Sequence, residues 1–260
     1  MARQLYTAHL DRKLLLSERA QCFHLEFSIP ELGAFDFTSG QFVSMVANDA
    51  NGKQQTRAYS IASAPRANQF DLCVNRVEGG FFSNLLCDLE PEQTVQFHGP
   101  HGLFTLRKPL TDGIFIATGT GVAPMRGFTE WLFPETGEDL SEGRHFWLVY
   151  GTRHETEIYY QKYFEKLAAE RQNFHYLSTL SRPHEGWEGL RGYVQDHVAE
   201  IVQRRASENH HETPVVTVAE PAGFDIHAYI CGLNDMVSGN RDRLVQLGWE
   251  KKQVIFERYD

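Results

Sequence analysis

The sequence predicts two domains: an antiparallel β-barrel, then an α/β domain built on a doubly wound parallel sheet. Three observations predict this. The first hundred residues read as short β-rich segments at regular spacing, parted by turn residues. The run Arg107-Lys108-Pro109-Leu110-Thr111-Asp112-Gly113 then changes the style of the chain. After it, apolar strand-like runs alternate with helical ones, the pattern of right-handed crossovers in a parallel sheet. The expected boundaries are 1–108 for the barrel and 109–260 for the α/β domain, and 260 residues suffice for two cores.

The barrel strands are expected at Gln4–Leu10, Gln21–Ser28, Gln41–Ala47, Gln54–Ile61, Gln69–Val77 and Thr94–Phe97. Each has period-two or β-rich character. Glu31-Leu32-Gly33, Asn48-Asp49-Ala50-Asn51-Gly52 and Pro65-Arg66-Ala67-Asn68 supply turns between them. A short helix fits Phe82–Leu89, where Leu85, Leu86 and Leu89 carry the apolar spacing. Beyond the joint, strand Ile114–Thr118 leads to a helix at Ala123–Phe133, and His145–Tyr150 leads to one at Glu155–Ala169. Phe174–Leu180 leads, after a loop, to Tyr193–Gln203; His227–Cys231 leads to Asn234–Leu247. A last strand, Val254–Tyr259, closes the domain. Glu208–Gly223 reads as an extra hairpin or loop, and its His210–His211 pair as solvated surface without a third metal ligand nearby.

Composition narrows the function. A hydrophobic fraction of 42% and a charged fraction of 23% are those of a soluble globular protein. No run approaches the roughly 20 apolar residues that span a bilayer. Met1–Leu10 has no signal-peptide core, so the expected compartment is the cytoplasm, away from membranes. Cys22, Cys73, Cys87 and Cys231 are scattered and form no C-x-x-C pair. That argues against a metal site, an on-chain iron–sulfur cluster and a secreted disulfide scaffold. Net charge is −9; residues 1–110 hold 10 basic and 11 acidic side chains, the remainder 15 and 23. Neither part is the basic domain of a nucleic-acid binder. The near-neutral first part is the better dock for an acidic protein.

Four motifs carry chemistry. In Arg57-Ala58-Tyr59-Ser60-Ile61-Ala62-Ser63, one strand offers a guanidinium for a phosphate, a ring for a planar heterocycle and hydroxyls for hydrogen bonds. A flavin nucleotide needs all three. Alternation places Arg57, Tyr59 and Ile61 on one side and Ala58, Ser60 and Ala62 on the other. In Val77-Glu78-Gly79-Gly80-Phe81-Phe82-Ser83, two glycines open a helix whose N-terminus suits a phosphate; a hairpin turn with a capping Ser reads equally well. Gly119-Thr120-Gly121-Val122-Ala123-Pro124 follows a strand and opens a helix, a variant dinucleotide loop lacking the third glycine. Pro124 fits the first helical turn. Cys231-Gly232-Leu233-Asn234-Asp235-Met236 ends a core strand where sheet ligands bind. A buried structural Cys is the plain alternative.

In this order, with Glu257-Arg258-Tyr259 at the end, the four motifs resemble the ferredoxin–NADP reductase family over essentially the whole chain. The resemblance implies an FAD-binding first domain. Arg57, Tyr59 and Ser60 would hold the flavin phosphate, the ring and ribityl edge, and nitrogen 5. Gly80, Phe81, Phe82 and Ser83 would hold the pyrophosphate. The second domain would bind a nicotinamide dinucleotide through Gly119, Thr120, Gly121 and Pro124, with Gly232 and Met236 beside it. Cys231 and Glu257 would lie near the nicotinamide, with Ser60. Tyr259 would cover the flavin, although Asp260 follows it, and a plain strand end reads as well. Arg153, Ser181, Arg182 and Arg191 stand at points similar to those where NADPH-using members grip the 2′-phosphate, so NADPH is favoured; NADH stays open, because NADH-using members carry runs similar to Ser181-Arg182-Pro183 and Gly192-Tyr193-Val194. The implied activity is hydride transfer from NADPH to FAD, then single-electron release to a ferredoxin or flavodoxin. Two alternatives remain open: a reductase serving an oxygenase system or free flavin, and a non-catalytic sensor on the same scaffold.

Overall fold

The computed structural model describes residues 4–209 and 226–259. His210, His211, most of the Glu208–Gly223 segment and Asp260 lie outside the described residues. By contact the chain forms two compact units: Met1–Leu106 with Val122–Glu142, and Arg107–Gly121 with Gly143–Asp260.

The first unit is the expected antiparallel sheet, with β1 (Tyr6–Ser17), β2 (Cys22–Ser28), β3 (Phe42–Asn48), β4 (Gln54–Ser60), β5 (Gln69–Asn75) and β6 (Thr94–His101). Their order is β4-β3-β6-β1-β2-β5. An antiparallel bridge from Ile61 to Leu72 joins the two edges, so the sheet closes into a barrel. Phe27 and Phe70 stack inside it at 5.3 Å, with Phe35 and Phe97 against them. β1 runs seven residues past its expected end at Leu10. Bulges at Leu10/Arg12 and Leu15/Ser17 explain this, because each breaks the alternation that marks a strand in sequence. Helix α1 (Phe81–Asp88) buries Phe82 and Leu86 in the barrel core. Helix α2 (Val122–Leu132) follows the predicted joint in sequence, yet groups with the barrel by contact. Phe128 lies 5.5 Å from Phe104, and Gly127 brings the helix backbone against Ser63 O.

The second unit is the expected parallel sheet. It comprises β7 (Asp112–Thr118), β8 (Phe146–Thr152), β9 (Phe174–Leu180), β10 (Leu190–Arg191), β11 (Ile226–Leu233) and β12 (Val254–Tyr259), in the order β10-β9-β8-β7-β11-β12. Helices α4 (Val194–Asn209) and α5 (Asn234–Gln246) bury Val198 and Val237 with Ile114, Ile116 and Ile230 on one face. Helix α3 (Gln161–Glu170) sets Phe164 against Phe174 and Tyr176 of β9. The single helix expected at Glu155–Ala169 is a 3₁₀ turn, Glu155–Glu157, followed by α3. Tyr160 separates them with φ at +57°, a left-handed residue that no helix continues through. The strand order reverses between β7 and β11, so their carboxyl ends form a topological switch point.

Candidate functional site

Exposure falls along the Arg57–Ala62 run as the strand enters the barrel closure. Arg57 is exposed, Tyr59 half-buried against the core, and Ser60, Ile61 and Ala62 buried. Burial pushes the Tyr59 phenol up to about 12, against the pull of the Arg57 charge, so it is a neutral ring with an intact hydroxyl. Cross-strand register sets Tyr59 opposite Val43 and Ser60 opposite Phe42.

The turn before α1 is held by its own side chains. Gly79 adopts φ of +69°. The Ser83 hydroxyl accepts from Val77 N at 3.1 Å and donates to Gly80 O at 3.3 Å. Asn84 Nδ2 donates to Gly80 O at 2.6 Å and Val77 O at 3.1 Å, and Arg76 ties Asn84 Oδ1 at 2.8 Å to Asp88 at 2.6 Å. Gly80 caps the helix without a side-chain bond among the described residues, the kind of helix N-terminus that suits an anion. Ser83 therefore builds the turn. Asn84 and Arg76 do the same, and sequence reading missed both; Asn four residues into a helix opening was the available signal.

In the second unit the loop after β7 has two glycines with different roles. Gly119 adopts φ of +53° with open space around it. A Cβ on Gly121 would stand 2.2 Å from Cys231 O, so this glycine lets the loop lie on β11. Tyr150 OH donates to Gly119 O at 3.0 Å and fastens the loop from β8, a part the sequence did not reveal. Thr120 is half-buried, and Pro124, third in α2, is buried. Cys231 sits opposite Glu257, and Leu233 opposite Tyr259, at the carboxyl ends of β11 and β12. Met236 Cε and Thr118 Oγ1 flank Gly232 within 2.6 Å of where a Cβ would be. Burial, then the Glu257 charge, raises the Cys231 thiol far above its ordinary value, while a hydrogen bond with Tyr259 opposes this. Cys231 is a neutral, shape-giving thiol, not a nucleophile.

Arg153, Ser181, Arg182 and Arg191 stand at or just past the ends of β8, β9 and β10. Ser181 N donates to Thr152 O and Arg182 N to Arg153 O, both at 3.0 Å. Arg191 pairs with Leu180, and its guanidinium donates to Trp187 O at 2.6 Å. All three arginines are exposed and Ser181 is half-buried. Where an NADH site often places a carboxylate, β8 runs into Gly151-Thr152-Arg153. The donor set of both units, guanidinium, ring, hydroxyl and helix N–H groups, fits FAD and a phosphorylated dinucleotide. Among the described residues no three His, Cys, Asp or Glu side chains stand together for a metal, and no helix is long and apolar enough to cross a membrane. All four cysteines are buried and none is in a disulfide, although β2 and β5 bring Cys22 and Cys73 to 3.7 Å between sulfurs.

A model of the oxidoreductase FAD-binding domain matches residues 7–106, and one of the oxidoreductase NAD-binding domain matches residues 115–242. Ferredoxin–NADP reductase B of Sorangium cellulosum (strain So ce56) is 40% identical over 240 residues, 91% of each chain. The ferredoxin–NADP reductase of Spirulina sp is 32% identical over 83% of this chain and 76% of its own. The chloroplastic leaf isozyme 1 of Oryza sativa subsp. indica is 31% identical, and this chain spans 64% of its length. Two solved structures share the fold at a TM-score of 0.76. One is ferredoxin-NADP+ reductase from Plasmodium falciparum with 2′P-AMP, at 22% identity, covering 98% of this chain and 96% of that one. The other is the FAD/NAD-binding domain of nitric oxide dioxygenase from Vibrio cholerae, at 18% identity, covering 98% of both.

Proposed function

Because the chain belongs to the ferredoxin–NADP reductase family, we propose that it moves a hydride from NADPH to FAD and electrons singly on to a ferredoxin or flavodoxin. The bound flavin supplies the step from two-electron to one-electron chemistry. The chain supplies grip and geometry. Residues 1–108 serve as the FAD domain and 109–260 as the NADP domain, with Val122–Glu142 the stretch of the latter that packs with the barrel. Arg57 holds the flavin phosphate, Tyr59 lies on the ring edge, and the Ser60 hydroxyl is directed to nitrogen 5. Phe81 and Phe82 present main-chain N–H groups to the pyrophosphate over the turn that Ser83 shapes; Gly80 opens the helix there, its own N–H donated to Val77 O at 2.9 Å. Gly119 to Pro124 carry the second dinucleotide; Cys231 and Glu257 shape and polarise the nicotinamide site. Tyr259, bonded to the Cys231 thiol, helps fix that site. Four buried cysteines outside any disulfide suit a reducing cytoplasm.

The observation that carries the choice of NADPH is the cluster Arg153, Ser181, Arg182 and Arg191 on adjoining strand ends. Arg153 and Arg182, with the Ser181 hydroxyl, suit a 2′-phosphate better than a bare ribose, while the Arg191 guanidinium donates to Trp187 O. Purification, a visible spectrum and anaerobic titration with each nucleotide test the proposal. The expected result is a yellow protein that bleaches at lower NADPH than NADH, and whose electrons reach a ferredoxin. A colourless protein whose melting temperature ignores added FAD rejects it.

A further inference from the structure

Helix α2 turns two charged side chains inward. Arg126 and Glu130 are only 13% and 18% exposed, and they pair with each other one helical turn apart. Arg126 Nη1 donates to Ala62 O at 2.6 Å and lies 3.1 Å from Asp71 Oδ2. Glu130 Oε2 accepts from Ala64 N at 3.0 Å. Asp71, 1% exposed, also holds Arg66; its N–H donates to Ser63 Oγ at 3.1 Å, and its carbonyl accepts from Ala62 N at 2.8 Å. Residues 62, 63 and 64 are thus each bonded to this group. Gly127 closes the arrangement from above, since a Cβ there would stand 2.8 Å from Ser63 O.

The location is what gives the group meaning. Here the barrel closes through the Ile61–Leu72 bridge, and the segment continues directly from Ser60. A buried ionic group is a poor way to add stability, because desolvation offsets much of the attraction. It is a good way to impose one geometry, since every acceptor must be met. We propose that Arg126, Glu130 and Asp71 are positioning residues that fix Ile61–Ala64 and through it the Ser60 hydroxyl at the flavin. This rests on the role given to Ser60 above. Displacing a reacting partner by about 1 Å costs about a hundredfold in rate, so a fixed closure has kinetic value.

Arg126→Lys and Glu130→Gln test it in the purified, full-length holoprotein. Lysine offers one compact ammonium and cannot reproduce the fork that meets Ala62 O, Asp71 and Glu130 together. Glutamine keeps an acceptor for Ala64 N and loses the charge that holds Arg126. Amide hydrogen exchange over residues 61–64 is expected to quicken about tenfold in both variants. Flavin reduction by NADPH in stopped flow is expected to slow by about tenfold or more. FAD stays bound and the Kd for NADPH stays within about threefold, so the loss falls on kcat and not on KM. A merely structural ion pair lowers the melting temperature and leaves the reduction rate at the wild-type value, and that result overturns the proposal. If Arg126→Lys does not fold, Glu130→Gln decides alone. A wild type without flavin removes the reading of Ser60 first; faster exchange in its variants then reports a closure with nothing to position, and the proposal falls with it.

Discussion

Arg182 lies at the end of β9 with its main chain bonded to Arg153, and its guanidinium is exposed. One Arg–phosphate contact is worth about 1.5–3 kcal/mol. Arg182→Ala is therefore expected to weaken NADPH roughly ten- to a hundredfold and to leave NADH unchanged, read from KM with each nucleotide. An equal loss for both removes Arg182 from the 2′-phosphate. Residues of this kind can be nominated from sequence because motif and strand end coincide: Arg57, Ser60 and Arg182 each sit within a short recognisable run. Arg126, Asn84 and Tyr150 cannot. Arg126 meets Ala62 across 64 positions and Tyr150 meets Gly119 across 31, and no local pattern records such a pairing. Ser83 was seen as a ligand group or a cap, and its hydroxyl turns back on the loop that holds it.

The strand–loop–helix unit from β7 to α2 shows why two glycines in one motif are not equivalent. Gly121→Ala would press a Cβ onto the backbone of β11, a central strand with no room to yield. Overpacking of this kind costs about 1–3 kcal/mol, or roughly 2–4 °C of melting temperature for each kcal/mol in a chain of this size. Gly119→Ala meets open space and pays only for φ of +53°, about 1–2 kcal/mol. Thermal melts of the two variants, with nucleotide absent, should rank Gly121→Ala as the more damaging; the reverse order would mean the loop does not rest on Cys231. Elements such as β8, α2 and α5 were readable from the alternation of apolar strand-like runs with helical stretches. The outer part of β1 was hidden by its bulges, the two-residue β10 is too short to show a period, and the left-handed Tyr160 divided a helix that the apolar spacing joined.

At the scale of the whole molecule, stability should vary with pH through His24. This ring is 4% exposed, and its Nε2 lies 3.5 Å from Asp71. Burial, then the charge of Arg126, lowers its pKa from 6.5 to about 4, with Arg66 acting the same way and Asp71 opposing. The folded state keeps His24 neutral while the unfolded chain takes up a proton below 6.5. Its contribution is therefore present above pH 6.5 and drains away toward pH 4, by about 1.4 kcal/mol per unit and about 3 kcal/mol in all. Glu130, raised by burial, works against this above 4.5. Comparing denaturant unfolding of wild type and His24→Gln from pH 7 to 4.5 isolates the His24 part; parallel curves would reject it. The order of two folds was legible at this scale from the change of style near residue 107. The allegiance of α2 was not, since the contact of Gly127 with Ser63 leaves no periodic trace. That allegiance has a consequence for anyone recombining genes of such reductases. A crossover at residue 108 would give the chimera one parent's cylinder and the other parent's cover for it, mismatching Gly40, Phe104 and Phe128. Exchanging modules cleanly takes two splices, so that residues 122–142 travel with the donor of the first hundred.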